Sequence, residues 1–596
     1  MEDSLKFPLA VDLETTSIEP EKGSILSCAI SDGESTHAWM VRTSQDLQAV
    51  KEALDKPQTS IVHSVGMEGF WSEYFLNNPR HTNFIDTALL AYRIDPGEPK
   101  ALASVVARHL PEYSGWKGGT EEQLADPETG GSMLGVDENS LLERNAVDAC
   151  LTRRVYDKLW SKLTEEERKL HEEDIAISMF VHRMFRRGLL IDEEALIELR
   201  RSCVQTMSDE EGWLRRETGV GDLNPGSSQQ LGRVFTSRGI QLPLTDGGAP
   251  SVSGLALRVL RFENPDSKEQ ELADHILKYR KAQDILGDNV VSYAQARDPK
   301  DGRVRGGYWP GTVSWRPASP KMGRKDRINT LNVPRDGVRH LFSAPPGYVF
   351  FEMDLSQAEL RIMAQLSGDR VLIKGFKENL DFHRRMGGRV YNKLDALDSV
   401  TKQERYVGKK GNFSCGYFVG DQTLWESFAK EDIILPMEVV QKLRQAFWYE
   451  EYTDLRKYSE NQRAAVRRGE SLFAPTGGYH WNLEQASLIH PKNENEAVNS
   501  VYNWTIQAVP PRLVYRIGLL LERRIPESVC QIVNSIYDSL MGYIREDCLT
   551  DVLREIRIAH REVMEAESSW LKDVQIPCDL KTGKTWGSLK EVSNVQ

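Results

Sequence analysis

Two apolar runs, Gln531 to Tyr537 and Leu540 to Ile544, are separated by nothing but Asp538-Ser539. So short a break lets the runs pair only as a tight hairpin, which then carries a carboxylate at its tip. A third apolar run, Tyr348 to Met353, follows Gly347 and ends directly on Asp354. Taken singly, an aspartate at a strand end is more often a turn residue than a ligand. Two of them on strands far apart in the chain are what a two-metal phosphoryl-transfer site requires. There one ion lowers the pKa of an attacking hydroxyl and a second, ~4 Å away, steadies the leaving oxygen. The pairing demands a sheet assembled from distant segments, and 596 residues fill several cores rather than one.

Composition allows such an enzyme. Apolar residues make up 40% and charged residues 28%, ordinary for a globular protein and too apolar for wholesale disorder. No apolar run approaches the ~18 residues of a membrane span, and the start MEDSLKFPLAVDLE lacks the features of a signal peptide. A cytoplasmic protein with no membrane partner is expected. The seven cysteines form no CxxC pair, which reads as buried thiols rather than a disulfide framework or zinc site. A net charge of −12 does not exclude nucleic acid, because basic groups concentrate locally. Between Gly302 and His340 nine Lys or Arg (Arg303, Arg305, Arg316, Lys321, Arg324, Lys325, Arg327, Arg335, Arg339) face only Asp326 and Asp336. Such a stretch can neutralise phosphates, although a solvated basic loop has the same composition.

The first ~160 residues read as α/β, with strands Pro8 to Leu13 and Ile25 to Ile30, helices Ala101 to His109 and Leu141 to Leu159, and a loop Gly118 to Gly135. From Glu165 the period is helical, with Ile175, Met179, Met184 and Leu189 on one face. A Gly/Pro-marked interruption, Leu223 to Ser253, precedes a helix over Leu272 to Ala296, and long helices fill the span between Asp354 and Arg468.

Arg405, Lys409, Phe413 and Tyr417 recur every fourth residue, so a helix would align them with a drift of only ~40° per step. One face then offers two cations to clamp a triphosphate and two aromatics to stack on a base or sugar. At the other end of the chain, Asp12 and Glu14 close a strand two residues apart, which puts both carboxylates on one side of it.

The wording around these residues resembles a known family. Asp354-Leu-Ser-Gln-Ala-Glu-Leu-Arg361 is similar to the first polymerase motif of family A DNA polymerases, the bacterial DNA polymerase I group, usually DYSQIELR; six of eight positions match. Arg405-x3-Lys409-x3-Phe413-x3-Tyr417 matches the second motif at every anchor. Tyr537-Asp538-Ser539 stands where the family has His-Asp-Glu, so the third acidic group is missing. Asp381-Phe-His383 resembles Asp-Ile-His at the root of the fingers, Ser314-Trp315-Arg316 replaces Thr-Gly-Arg, and Asn329-Thr-Leu-Asn-Val-Pro334 resembles NLQNIP. Asn503-x3-Gln507 matches the pair that touches the primer terminus, and Pro510-Pro511 just after it should distort or shorten that helix.

The resemblance implies that Asp354 and Asp538 bind the metals and that Arg405, Lys409, Phe413, Tyr417, Gln357, Glu359 and His383 bind the nucleotide. Lys409 would double as an acid for pyrophosphate, and Glu359 would exclude ribonucleotides. Arg316, Asn332, Asn503 and Gln507 would contact DNA.

The N-terminal region resembles the DEDD-type 3′–5′ exonucleases. Val11-Asp12-Leu-Glu14-Thr-Thr matches their first motif, Ile85-Asp86-Thr87 their later Asp-Thr, and Asn145-Ala-Val-Asp148-Ala their third. Two positions depart: Glu68 stands for an Asp, and Arg144 replaces the Tyr expected four residues before Asp148. The resemblance implies catalytic and metal-binding roles for Asp12, Glu14, Glu68 and Asp148. Arg144 only donates hydrogen bonds and adds positive charge, so proofreading is expected to be retained but altered; contact with phosphate is another use for it.

The implied fold is a multidomain α/β chain with an RNase-H-like 3′–5′ exonuclease domain at residues 1–162. A segment leading into the palm and the thumb follows at 163–300, then the first part of the palm at 301–370, the fingers at 371–494, and the second part of the palm at 495–596. The implied cofactor is Mg²⁺, two ions per active site, with Mn²⁺ as a substitute. The implied partners are primer–template DNA, deoxynucleoside triphosphates and a single-stranded DNA 3′ end, served by a monomer that works alongside replisome or processivity partners. The first motif begins almost at the first residue, which predicts a compact layout without a 5′-nuclease domain, like that of bacteriophage replicative polymerases acting in the host cytoplasm. A modified-base genome is one setting for the unusual positions. Two rival readings remain at this point: a single-subunit RNA polymerase, against which Glu359 speaks, and a catalytically dead DNA-binding scaffold, against which the intact Asp354, Asp538, Arg405 and Lys409 speak.

Overall fold

The computed structural model describes residues 6–17, 20, 22–55, 59–76, 84–116, 133–245, 247–306, 316, 328–335, 337–477 and 480–592. The chain divides into two compact units. One comprises Met1–Arg186, Tyr308–Ala318 and Arg463–Arg524, the other Arg187–Gly307, Ser319–Gln462 and Ile525–Gln596.

In the first unit five strands form one sheet in the order β3-β2-β1-β4-β5. They are β1 (Leu9–Thr15), β2 (Ile25–Ser31), β3 (Thr36–Met40), β4 (Thr59–Val62) and β5 (Ile85–Asp86). β1 runs antiparallel to β2 and parallel to β4, which is parallel to β5. Every residue of β1 is buried except Asp12, so the central strand leaves one opening at a carboxylate. The helix Glu138–Trp160, whose N-cap Asp137 accepts from Ser140 N, packs across the sheet. Its Leu151, Val155 and Leu159 share a core with Leu90, Val105 and Val106.

The helix Glu165–Arg187 carries a buried charge network. Asp174 pairs with Arg93 and, at 2.9 Å, with Arg512, and all three side chains are at most 1% exposed. Glu173 pairs with Arg512 at 2.6 Å and with Arg516. Burial would raise the Glu173 carboxyl, but the two guanidiniums outweigh it and hold it at about 2. A depressed carboxylate stabilises the fold above its unfolded value, and that stabilisation is lost as pH falls through the folded one. Glu173→Gln is therefore expected to cost up to about 3 kcal/mol above pH ~5, with the gap to the wild type closing toward pH ~2. Denaturant melts of both proteins across that range check it, and a gap independent of pH would refute the assignment.

The helix that carries Asn503 and Gln507 is cut short, as the prolines at 510 and 511 lead one to expect. These prolines lie in the first turn of a new helix, Val509–Arg524, and the preceding helix stops at Gln507. First-turn N–H groups lack intrahelical partners anyway, so proline there costs little.

In the second unit an antiparallel sheet has the order β12-β11-β8-β10-β9. Its strands are β8 (Tyr348–Leu355), β9 (Cys530–Ile536), β10 (Ser539–Arg545), β11 (Cys578–Gly583) and β12 (Lys590–Glu591), while a two-stranded ladder joins β6 (Leu189–Leu190) to β7 (Arg303–Val304). Phe350, Val533, Met541 and Tyr543 from the sheet pack with Tyr293, Phe342 and Trp586. Each such buried side chain is worth roughly 1.5–3 kcal/mol. A helical subdomain, Glu193–Thr218 to Lys268–Asp284, has its own core around Leu214, Phe235, Leu257 and Ile276.

Leu189 starts β6 rather than extending the helical face of Ile175, because that helix stops at Arg187 and Gly188 (φ 63°) turns the chain. The helix expected over Leu272 to Ala296 is interrupted by a π-turn, Ile285–Val291. Among the described residues no helix is long and apolar enough to cross a membrane.

Candidate active sites

β8 is the centre of the second unit's sheet, and its register decides what surrounds Asp354. Ser539 of β10 lies directly opposite on one side and Asp579 of β11 on the other. The two-residue turn Tyr537-Asp538 connects β9 to β10, and Leu355 N donates to Asp538 O at 2.9 Å, which brings the hairpin tip to the end of β8. Tyr537 holds φ at 55°, the left-handed setting that two-residue hairpins favour because it matches strand twist. Burial first, then the Asp538, Glu352 and Asp579 charges, push the Asp354 carboxyl up to about 7. Carboxylates pressed together in this way fit a divalent cation, which would relieve their repulsion. Lys581, the cross-strand neighbour of Glu352, pairs with it at 2.9 Å. Neither Asp579 nor Lys581 stands out in the sequence, since only the β8–β11 register places them here.

Gln357 and Glu359 open the helix Ala358–Ser367, with Gln357 in the left-handed conformation at its N-cap. The helix Lys402–Cys415 is fixed at its start by a capping box, Thr401 with Glu404. It presents Arg405, Lys409 and Phe413 on one face, and Lys409 and Phe413 are exposed. Tyr417 departs from the expectation: the helix ends at Cys415 and Tyr417 lies in the following turn, its N–H donating to Ser414 O. Gly408 allows this helix to meet the helix Phe382–Val390, for a Cβ there would come 2.2 Å from His383 O. The close approach lets Arg405 Nε donate to Asp381 at 2.7 Å and sets the His383 ring beside Phe413, centroids 5.9 Å apart. Burial, then Arg405, lower His383 to about 4, so its ring is neutral at pH 7.

Asn332 is exposed and lines a cavity of about 920 Å³ together with Arg258, Arg280, Lys281 and Lys430. Arg316, Asn503 and Gln507 belong to the other unit, the last two one turn apart at the end of the helix Glu494–Gln507. Of the basic stretch, Lys321, Arg324, Lys325 and Arg327, like Ser314 and Trp315, lie outside the described residues. Three of its other members are engaged internally rather than offered to phosphate. Arg303 donates to the carbonyls of Arg187 and Gly188, Arg305 pairs with Asp298 and Asp301, and Arg339 stacks on Trp586.

In the first unit Asp12, Glu14 and Asp148 bring carboxylate oxygens within 4.8 Å of one another, a spacing that fits a divalent ion. Asn145 Nδ2 donates to Asp12 Oδ2 and Trp116 Nε1 to Asp148 Oδ1, both at 2.7 Å. Glu68 is 2% exposed on the helix Val65–Leu76, and its Oε2 has no hydrogen-bond partner among the described residues. Burial, then the Asp12 charge, push its carboxyl well above the usual range. Asp86 is structural, accepting from the backbone N–H groups of Ser64, Val65, Ala88 and Leu89 and capping the helix Thr87–Ile94. Arg144 Nε lies 2.9 Å from Glu14 Oε1 and 3.9 Å from Asp148 Oδ2.

The fold and the palm-like site define a class, and comparison with known proteins identifies it. The sequence profile described as DNA polymerase family A matches residues 193–588, and the chain belongs to that family. DNA polymerase I of Pseudomonas aeruginosa is 26% identical over 92% of this chain and 61% of its own length. The thermostable DNA polymerase I of Thermus aquaticus is 24% identical over 74% of this chain and 51% of its own, so the chain spans about half to three-fifths of these bacterial relatives. The DNA polymerase of Mycobacterium phage D29 is 23% identical over 79% of this chain and 78% of its own. The solved POL domain of Pol1 from M. smegmatis, in complex with DNA primer-template and dNTP, superposes with a TM-score of 0.76 at 18% identity, covering 98% of this chain and 96% of that one. That likeness establishes the right-hand polymerase fold.

Proposed function

We propose that the chain is a template-directed DNA polymerase that joins the primer 3′-hydroxyl to the α-phosphate of a deoxynucleotide and releases pyrophosphate. The observation that carries this reading is the β8–β10 register, which sets Asp354 beside the Asp538 hairpin tip. Bound there, two Mg²⁺ ions would activate the hydroxyl and neutralise the leaving group. The chain's own residues do the positioning. Asp354 and Asp538 hold the ions, and Arg405 and Lys409 clamp the triphosphate, with Lys409 able to give a proton to pyrophosphate. Phe413 and Tyr417 pack against the nascent pair, while Gln357, Glu359 and neutral His383 line the nucleotide side. Asn332, Arg316, Asn503 and Gln507 contact the primer–template. Primer extension with deoxy- and ribonucleotides tests it; preferential ribonucleotide incorporation would favour the RNA polymerase reading instead. Modified deoxynucleotides in the same assay test adaptation to a modified-base genome, and the D29 relative supports a replicative role in a phage.

The carboxylate cluster supports a second activity, 3′–5′ exonuclease proofreading, with Asp12, Glu14, Glu68 and Asp148 as its metal-binding set. Labelled single-stranded DNA is expected to be shortened in Mg²⁺ or Mn²⁺ by the wild type and not by Asp12→Ala/Glu14→Ala. Equal rates in both proteins would remove this site as their source.

A further inference from the structure

We infer that Arg144 is a built-in cation of the N-terminal carboxylate cluster, standing in for one of two divalent ions, so that the cluster holds a single ion. The inference rests on the exonuclease reading of that cluster and concerns how the site is charged.

Arg144 sits on the helix Glu138–Trp160 one turn before Asp148, and its side chain is 16% exposed. Its Nε is 2.9 Å from Glu14 and 3.9 Å from Asp148, two of the three carboxylates whose oxygens converge within 4.8 Å. The Nε–H is not aimed along a hydrogen bond, so the contact is one of charge, not of donor geometry. A guanidinium is a fixed cation with donors only, so it can oppose a metal ion but cannot ligate one. The neighbours reinforce the arrangement: Asn145 pins Asp12 and Trp116 pins Asp148, and of the two carboxylates beside Arg144 it is Glu14 that lies closer. The three converging carboxylates with one guanidinium carry a net charge of −2, and −3 with an ionised Glu68 counted, so a single divalent ion cancels most of it. A second divalent ion would be held against the repulsion of a fixed positive charge a few ångströms away. The remaining guanidinium N–H groups suit a phosphate oxygen, which lets Arg144 supply charge to a bound DNA 3′ end.

The test uses the full-length chain with Asp354→Asn and Asp538→Asn, which removes the palm ligands, and Mn²⁺ alone as the probe, followed by calorimetry and electron paramagnetic resonance. Binding that disappears on adding Asp12→Ala/Glu14→Ala belongs to the cluster. With Arg144 present, one Mn²⁺ is expected there. With Arg144→Gln, a second ion is expected, or a first bound at least about tenfold more tightly. Arg144→Lys keeps the charge and should keep the one-ion behaviour, which separates charge from packing. Melting in EDTA confirms that each variant folds; Arg144→Gln should be stabilised by Mn²⁺ more than the Arg144 protein. Equal stoichiometry and affinity with and without Arg144, or two ions bound in its presence, overturns the inference and leaves the exonuclease reading standing. No Mn²⁺ attributable to the cluster in any variant overturns both.

Discussion

Replacing Asp538 by Ala is expected to slow primer extension by about 10³-fold or more while leaving the fold intact. The charge stabilisation that a correctly held ion provides is several kcal/mol, and each 1.36 kcal/mol is tenfold in rate. Stability should not follow, because Asp538 occupies a half-buried two-residue turn and its negative charge presses on Asp354, which sits at about 7 partly for that reason. Removing it relieves that repulsion. The melting temperature is expected to hold or rise slightly as activity falls. Extension rates from single-turnover kinetics, paired with thermal melts, make the check. An Asp538→Ala protein that extends primers within about tenfold of the wild type would defeat the polymerase assignment of this hairpin and favour a DNA-binding scaffold.

The second large effect is on stability. Asp174→Ala leaves Arg93 and Arg512, at most 1% exposed, without the carboxylate they share. Breaking a buried ion network by removing one partner costs about 3–5 kcal/mol, because the remaining charges stay desolvated. For a unit of this size that corresponds to a fall of roughly 10 °C in melting temperature. The triple change Arg93→Met/Asp174→Leu/Arg512→Met should recover most of the loss, since hydrophobic side chains of similar volume replace such networks at little cost. If Asp174→Ala melts within about 1 °C of the wild type, the network contributes nothing to stability.

Much of the chemistry is legible in the order of the amino acids. Arg405, Lys409 and Phe413 share a face because the helix period places every fourth residue together, and Thr401 with Glu404 marks where that helix starts. Asp12 and Glu14 share a strand, and two apolar runs flanking Asp538 close into a hairpin because so short a connection has few other solutions. Local reasoning fails where a terminus is set by neighbours. Tyr417 falls past its helix, and Leu189 becomes a strand.

The residue types and their near-neighbour spacing are therefore determined by the sequence alone, since backbone periods of two and 3.6 residues act over a few positions. What surrounds those residues is decided by tertiary structure. Asp579 faces Asp354, Arg144 reaches Glu14, and Asp174 joins Arg93 to Arg512 across hundreds of positions in the chain. A one-residue slip of β11 against β8 would turn Asp579 to the opposite face of the sheet. Register and packing, which depend on the whole set of buried contacts, fix which charges meet, and those meetings set the electrostatics of both sites.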